Sequence, residues 1–170
     1  SLLTTFAGGN GQAGNAFDVL PTSSLSITGF DIHVGVTSSE IVNIYHRVGP
    51  YAGFNTAVTG WTLHETVAVT GAGVGNPTPC MFVNPLNISG GAIHSFMVVL
   101  TSSSNIDYTS GTTTGAILAQ NNDLIVYQGA GISWPLGSNF NPRNFNGIIH
   151  YGSDGCSNIK KTLTLVTGSD

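Results

Sequence analysis

The side chains with the widest chemical range in this chain are five histidines, His33, His46, His64, His94 and His150. No two stand at the spacing of a dedicated metal motif, and each sits among residues that read as strand. Four-coordinate zinc needs converging ligands, and nothing in the spacing supplies convergence, so hydrogen-bonded strand histidines are the expectation. A serine hydrolase would need an activated nucleophile, yet no serine lies in a Gly-x-Ser-x-Gly elbow. Paired carboxylates for glycoside hydrolysis would have to come from Glu40, Glu65 and six aspartates. Of these, Glu65 alone falls on an otherwise apolar strand face, which an edge position or a partner such as Arg47 would explain. The pattern points away from an enzyme.

Binding chemistry is better represented. Hard cations take carboxylate, amide and backbone oxygens from irregular loops, and Asn10, Asn15, Asp18 and Asp154 are the donors placed for calcium, the one cofactor the sequence offers. Asparagines in such loops also close turns through their own amides. The stronger signal is aromatic. Tyr51, Phe54 and Trp134 lie in long loops, where an exposed ring would stack on the apolar face of a sugar, while Asn55 and Asn139 would hydrogen-bond its hydroxyls. The alternative use of these rings is to plug the ends of a β-sandwich; Phe6, Phe140 and Phe145 are expected to do that. The glycines between Gly8 and Gly14 form no phosphate cradle, because no helix follows them.

The elements that must position these residues are all strands. No segment holds a helical period, and β-branched residues alternate with polar ones between turn signals. Leu25, Ile27, Phe30, Ile32, Val34 and Val36 alternate with one slip at Thr28-Gly29, which predicts a β-bulge. Glu40–Val48 puts Val42, Ile44, His46 and Val48 on one face. Trp61–Val69 is a further strand, followed by Cys80–Val83, Leu86–Ile88, Ile93–Leu100, Ile106–Tyr108, Ala116–Ala119, Leu124–Tyr127, Phe145–Tyr151 and a terminal strand within Asn158–Thr167. Asn84-Pro85 is expected to break a strand, and Gly129–Asn141 to be a long loop. Short strands at this spacing, with no helix between them, indicate an all-β antiparallel sandwich of the jelly-roll or Greek-key kind. The glycine- and asparagine-rich opening, Thr4–Val19, is expected to pack beside Asn139–Gly147, with Phe6 or Phe17 against Phe140 or Phe145.

With 170 residues the chain fits one domain and can bury a core without staples. Charged residues are 7% of it and the net charge is −4, so there is no basic face to neutralise phosphates, and nucleic acid is excluded as a partner. No apolar run reaches the length of a membrane span. A surface of hydroxyls and amides is that of a secreted β-protein, and the first residue, Ser1, fits a processed chain or an excised module. In that setting Cys80 and Cys156 are expected to form a disulfide, worth about 4–5 kcal/mol in the chain-entropy model. Asn87-Ile88-Ser89 is a glycosylation sequon.

The ordered motifs Thr4–Gln12, Gly14-Asn15 and Phe17-Asp18-Val19, then Tyr45, Arg47–Tyr51, Trp61-Thr62-Leu63, Gly73–Pro79 and Pro142–Gly147, carry a resemblance. They resemble a poorly characterised family of secreted β-sandwich modules found in large extracellular and cell-surface proteins, mainly bacterial. The resemblance covers roughly residues 4–151 and implies an extracellular, non-catalytic module; it supplies no ligand or catalytic residue. The chain departs from the pattern in Phe145, where the family has tryptophan, and in 152–170, an additional tail bearing Cys156. The expectation is one domain, 1–170, acting as a structural or adhesive module, self-assembling or bound to another extracellular protein. The alternative is a carbohydrate-binding module using the loop aromatics.

Overall fold

A computed structural model describes residues 1–153. Among them are fourteen strands and no helix. In chain order these are β1 (Leu2–Leu3), β2 (Asn10–Gln12), β3 (Gly14–Pro21), β4 (Leu25–Ile32), β5 (Ser39–Val48), β6 (Thr62–Thr70) and β7 (Thr78–Ile88). Then come β8 (His94–Leu100), β9 (Ile106–Ser110), β10 (Ile117–Gln120), β11 (Leu124–Tyr127), β12 (Gly129–Ile132), β13 (Asn139–Asn144) and β14 (Gly147–Ser153). They make an antiparallel β-sandwich of unequal layers. One sheet has the order β1-β14-β4-β7; the other, ten-stranded, runs β2-β9-β13-β12-β3-β8-β5-β6, with β10-β11 added on β3.

Strand alternation delivers the core. Phe17 and Val19 of β3, Val42 and Ile44 of β5, and Phe96, Val98 and Leu100 of β8 face Ile27, Phe30 and Ile32 of β4, Cys80 of β7 and Ile149 of β14, all of them nearly or wholly buried. Four phenylalanines knit the layers together. Phe17 stacks on Phe145 with centroids 4.4 Å apart, and Phe30 meets Phe96 edge-on at 5.2 Å. Each such ring contributes about 1.5–3 kcal/mol by burial. β8 is buried at every position, because the outer face of the large sheet is covered as well.

The opening and closing segments meet as expected. Thr4 is the clasp: its N–H donates to the Gly147 carbonyl (2.9 Å), its hydroxyl donates to the Phe145 carbonyl (2.7 Å), and the Gly147 N–H donates to that hydroxyl (3.0 Å). Asn146 Nδ2 donates to the Ala7 carbonyl. Phe145 is a core plug, but Phe140 is 39% exposed, since β13 turns it outward. The bulge at Thr28-Gly29 is present between β4 and β7. Gly29 has φ +152°, and a Cβ there would lie 2.7 Å from Met81 Cα, so no larger residue fits.

Several boundaries differ from the sequence reading: β4 stops at Ile32 although the alternation runs on to Val36, and β14 begins at Gly147 rather than Phe145. Asn84-Pro85 does not break β7, because the strand is an edge and its register jumps from Met81 to Leu86 opposite Gly29 and Ile27; a proline is accommodated in such a bulge. Gly129–Asn141 is not one loop. Its ends are β12 and the start of β13, paired from Gly129 to Ile132 against Arg143 to Asn139, and only the turn between them carries Trp134. The terminal strand expected within Asn158–Thr167 lies outside the described residues.

Candidate functional site

The outer face of the ten-stranded sheet carries a second, smaller core. Ala16, Tyr45, Met97, Val99, Ala130 and Ile132 rise from β3, β5, β8 and β12 and are covered by Tyr51, Trp61, Trp134 and Leu136. The covering residues come from two connections, 49–61 between β5 and β6 and 133–138 between β12 and β13. Asp18 anchors the first. Its Oδ1 accepts the Tyr51 N–H at 2.9 Å and the Ser95 hydroxyl at 2.6 Å. Burial pushes the Asp18 carboxyl above the usual range, opposed by the Ser95 and Tyr51 hydrogen bonds and by Arg47. Tyr51 ties the first connection to β13 by donating from its hydroxyl to Asn141 Oδ1 at 3.4 Å.

Between these connections lies a cleft of about 530 Å³ lined by Tyr45, Thr56, Ala57, Val58, Trp134, Pro135 and Leu136. The Tyr45 and Trp134 rings stand 6.0 Å apart at 36°. The lining holds no charged side chain. A mainly apolar lining with two aromatic rings and the Thr56 hydroxyl suits an uncharged ligand that has an apolar face.

Of the residues singled out for sugar stacking, Trp134 lines this cleft. Tyr51 does not offer a face: at 3% exposure it is part of the buried layer beneath the connection, its ring drawn in by the Asp18 anchor, and burial raises its phenol to about 12. Phe54 is at the surface, but the Arg47 guanidinium sits 3.6 Å from its ring centroid. Gly60, at φ +86°, passes so close that a Cβ would come 2.6 Å from the ring. Trp61 seals the same corner by donating from Nε1 to the Phe54 carbonyl at 2.7 Å. Asn55 is half-buried in the same connection. Asn139 accepts from Asn141 Nδ2 at 2.9 Å. Tyr45 was missed, although strand alternation already placed it opposite Val42, Ile44 and His46, on what should have been the solvent face. An aromatic there was the available signal for a covered outer face.

The calcium donors do not assemble. Asn15 and Asp18 are three residues apart on β3, so their side chains leave opposite faces. Asn15 is buried, with Nδ2 donating to the Ala130 carbonyl, whereas Asn10 lies exposed on β2; Asp154 lies outside the described residues. Among the described residues no group of three or more histidine, cysteine or acidic side chains is placed to hold a metal. The histidines are dispersed: His33 Nε2 accepts the Gly75 N–H (2.6 Å), His64 meets the Asn84 carbonyl (2.9 Å), His150 pairs with Asp31 (3.0 Å), and His46 meets His94.

Glu65 is at an edge, but its partner is not Arg47. Both carboxylate oxygens accept the Val83 N–H, at 2.9 and 3.1 Å, linking β6 to β7 where the sheets come together. Glu40 is the more deeply buried acid, 6% exposed, and accepts hydroxyls from Ser38, Ser102 and Ser103. These bonds fasten the turn after β8. Cys80 is wholly buried among core residues, and Cys156, its expected partner, lies outside the described residues. Asn87 is exposed on β7. No helix among the described residues is long and apolar enough to cross a membrane.

No protein-family model matches the chain, and no curated protein matches it.

Proposed function

We propose that this is a non-catalytic extracellular adhesive module that holds a neutral carbohydrate in the cleft between its two outer-face connections. The observation that carries the reading is the Tyr45–Trp134 pair lining an uncharged cleft of about 530 Å³. Sugars present C–H faces to aromatic rings and hydroxyls to polar groups; the Tyr45 and Trp134 rings and the Thr56 hydroxyl line the cleft. No histidine, cysteine, lysine or carboxylate lines it, which favours binding over turnover. A chain with 7% charged residues and an exposed sequon asparagine suits an extracellular setting. The resemblance across residues 4–151 points the same way. The adhesive reading requires no cofactor.

Affinity electrophoresis in gels containing neutral polysaccharides (xylan, mixed-linkage glucan, galactomannan) tests this. The native chain is expected to be retarded by at least one of them, and Trp134→Ala to restore free mobility. Equal mobility in all gels would overturn the reading. So would retardation that Trp134→Ala leaves intact.

A further inference from the structure

Free sheet edges are templates for another strand, and folded proteins usually guard them with short strands, bulges, prolines or charges. Most edges here are guarded. β1 and β2 are two and three residues long. β10 is short and bulged between Ile117 and Ala119. β7 carries Pro79 and Pro85, and its Val83 amide is capped by Glu65.

β6 is the least guarded of the edges, with only a bulge at its start. It is nine residues long, without proline or lysine, paired to β5 on one side and to no strand on the other among the described residues. A single bulge lies at its start, near His64, where the register against Ile44 and Tyr45 shifts. Its one acidic side chain, Glu65, reaches across to β7 and leaves the edge itself without a charge. From Glu65 to Thr70 the strand is regular, opposite Ile44 to Ser39.

We propose that this stretch is a self-association edge, to which β6 of a second copy adds antiparallel, centred on Ala68. In that register Ala68 faces its own copy, Val67 faces Val69 and Thr66 faces Thr70. Residues directly opposite in an antiparallel pair share a face, and these do: Thr66, Ala68 and Thr70 are on the outer side with Asn43, Ile41 and Ser39, while Val67 and Val69 are on the core side with Val42 and Glu40. No charge meets its like. The pairing is isologous, as a two-fold dimer demands. The axis of such a pair is perpendicular to the sheet, so the two large sheets become one and both outer faces point the same way. On the carbohydrate reading above, the two clefts then address one surface together, and avidity exceeds single-site affinity.

The test is sedimentation velocity across a concentration series, with no sugar present, so its result stands apart from that of the cleft reading. The wild-type chain is expected to show a reversible dimer. Ala68→Lys and Ala68→Glu, at an exposed position where a larger side chain leaves the monomer folded, each bring like charges face to face. Each alone is expected to weaken the dimer at least about tenfold, and an equimolar mixture of the two to restore it. Circular dichroism checks that both variants keep the native fold. A wild-type monomer at every concentration overturns the proposal. A monomer whose β6 amides resist hydrogen exchange does so as well, by showing another segment of the chain on the edge. So does a dimer that neither variant disturbs, and so does a failure of the mixture to recover what each variant lost.

Discussion

His46 Nε2 lies 3.0 Å from His94 Nδ1, with the two rings stacked at 5.3 Å between centroids. His94 Nε2 also faces the Ser89 carbonyl at 3.2 Å. A carbonyl only accepts, so His94 carries its proton on Nε2, and Nδ1 takes the His46 Nε2–H. A second proton on His94 takes its Nδ1 and removes the acceptor; one on His46 keeps the hydrogen bond but places a charge in a partly buried site.

Acid should therefore unfold the protein through this pair. Burial, with the neighbouring His94 and His64, lowers His46 from 6.5 to about 4, and burial lowers His94 as well. Both folded-state values lie below the unfolded one, so the unfolded chain binds more protons as pH falls. The contribution is fully present above about pH 6.5 and lost toward about pH 4. Allowing for solvent screening at a partly exposed site, the loss is of the order of 2 kcal/mol. His33, also lowered by burial against the opposing pull of Asp107, adds in the same direction. Urea midpoints measured down this pH range should fall, and His46→Gln should flatten the slope; an unchanged slope would show that the pair does not titrate with unfolding.

The stacked rings of Phe17 and Phe145 give a contrast within one segment. Phe145→Ala opens a cavity between the sheets and should cost about 3–5 kcal/mol. Phe140→Ala, five residues earlier and exposed, should change stability by less than about 0.5 kcal/mol. Thermal or urea denaturation of the two variants decides it; comparable losses would mean that the outer ring is packed after all.

What the sequence disclosed follows from what alternation can encode. Much of the strand pattern and the bulge at Gly29 were legible because period-2 patterns and turn residues act locally, and the packing of Thr4–Val19 beside Asn139–Gly147 because both segments are rich in asparagine and aromatic residues. The second core was not. Tyr45, Met97 and Val99 alternate onto a face that a two-layer sandwich would leave to solvent, and only the fold brings the connections 49–61 and 133–138 over it. Tyr51 was misread for the same reason: a tyrosine in a glycine-rich loop looks exposed until Asp18, thirty-three residues away in sequence, pulls its backbone onto the sheet. Trp134 was singled out from the sequence and does line the cleft, but Tyr45 beside it was not, because pairing across elements leaves no trace in spacing.

Cys80 should be chemically silent in the folded state. Burial, with Glu65 and Asp31 nearby, pushes its thiol to about 12, so almost no thiolate exists near pH 8. Iodoacetamide should leave Cys80 unmodified in native protein. Alkylation after unfolding without reductant then tests the proposed bridge to Cys156: a modified Cys80 excludes it, and modification only after reduction supports it.

The anchor at Asp18 links stability to the cleft. Asp18→Ala removes the acceptor of the Tyr51 N–H, deep beneath the connection 49–61, and leaving that donor unpaired costs about 1–3 kcal/mol, whereas the Ser95 hydroxyl keeps the Gly49 carbonyl at 2.6 Å. Asp18→Asn keeps an oxygen for the Tyr51 N–H and removes a charge that burial disfavours, so its loss should be smaller. Because Thr56, Ala57 and Val58 reach the cleft from the connection that Asp18 holds down, Asp18→Ala should weaken polysaccharide retardation while Asp18→Asn preserves most of it. Denaturation midpoints and affinity electrophoresis on the same two variants check both halves. If alanine and asparagine prove equivalent in both measurements, the carboxylate is not what fastens the connection, and the cleft owes its shape to the Tyr51–Asn141 contact instead.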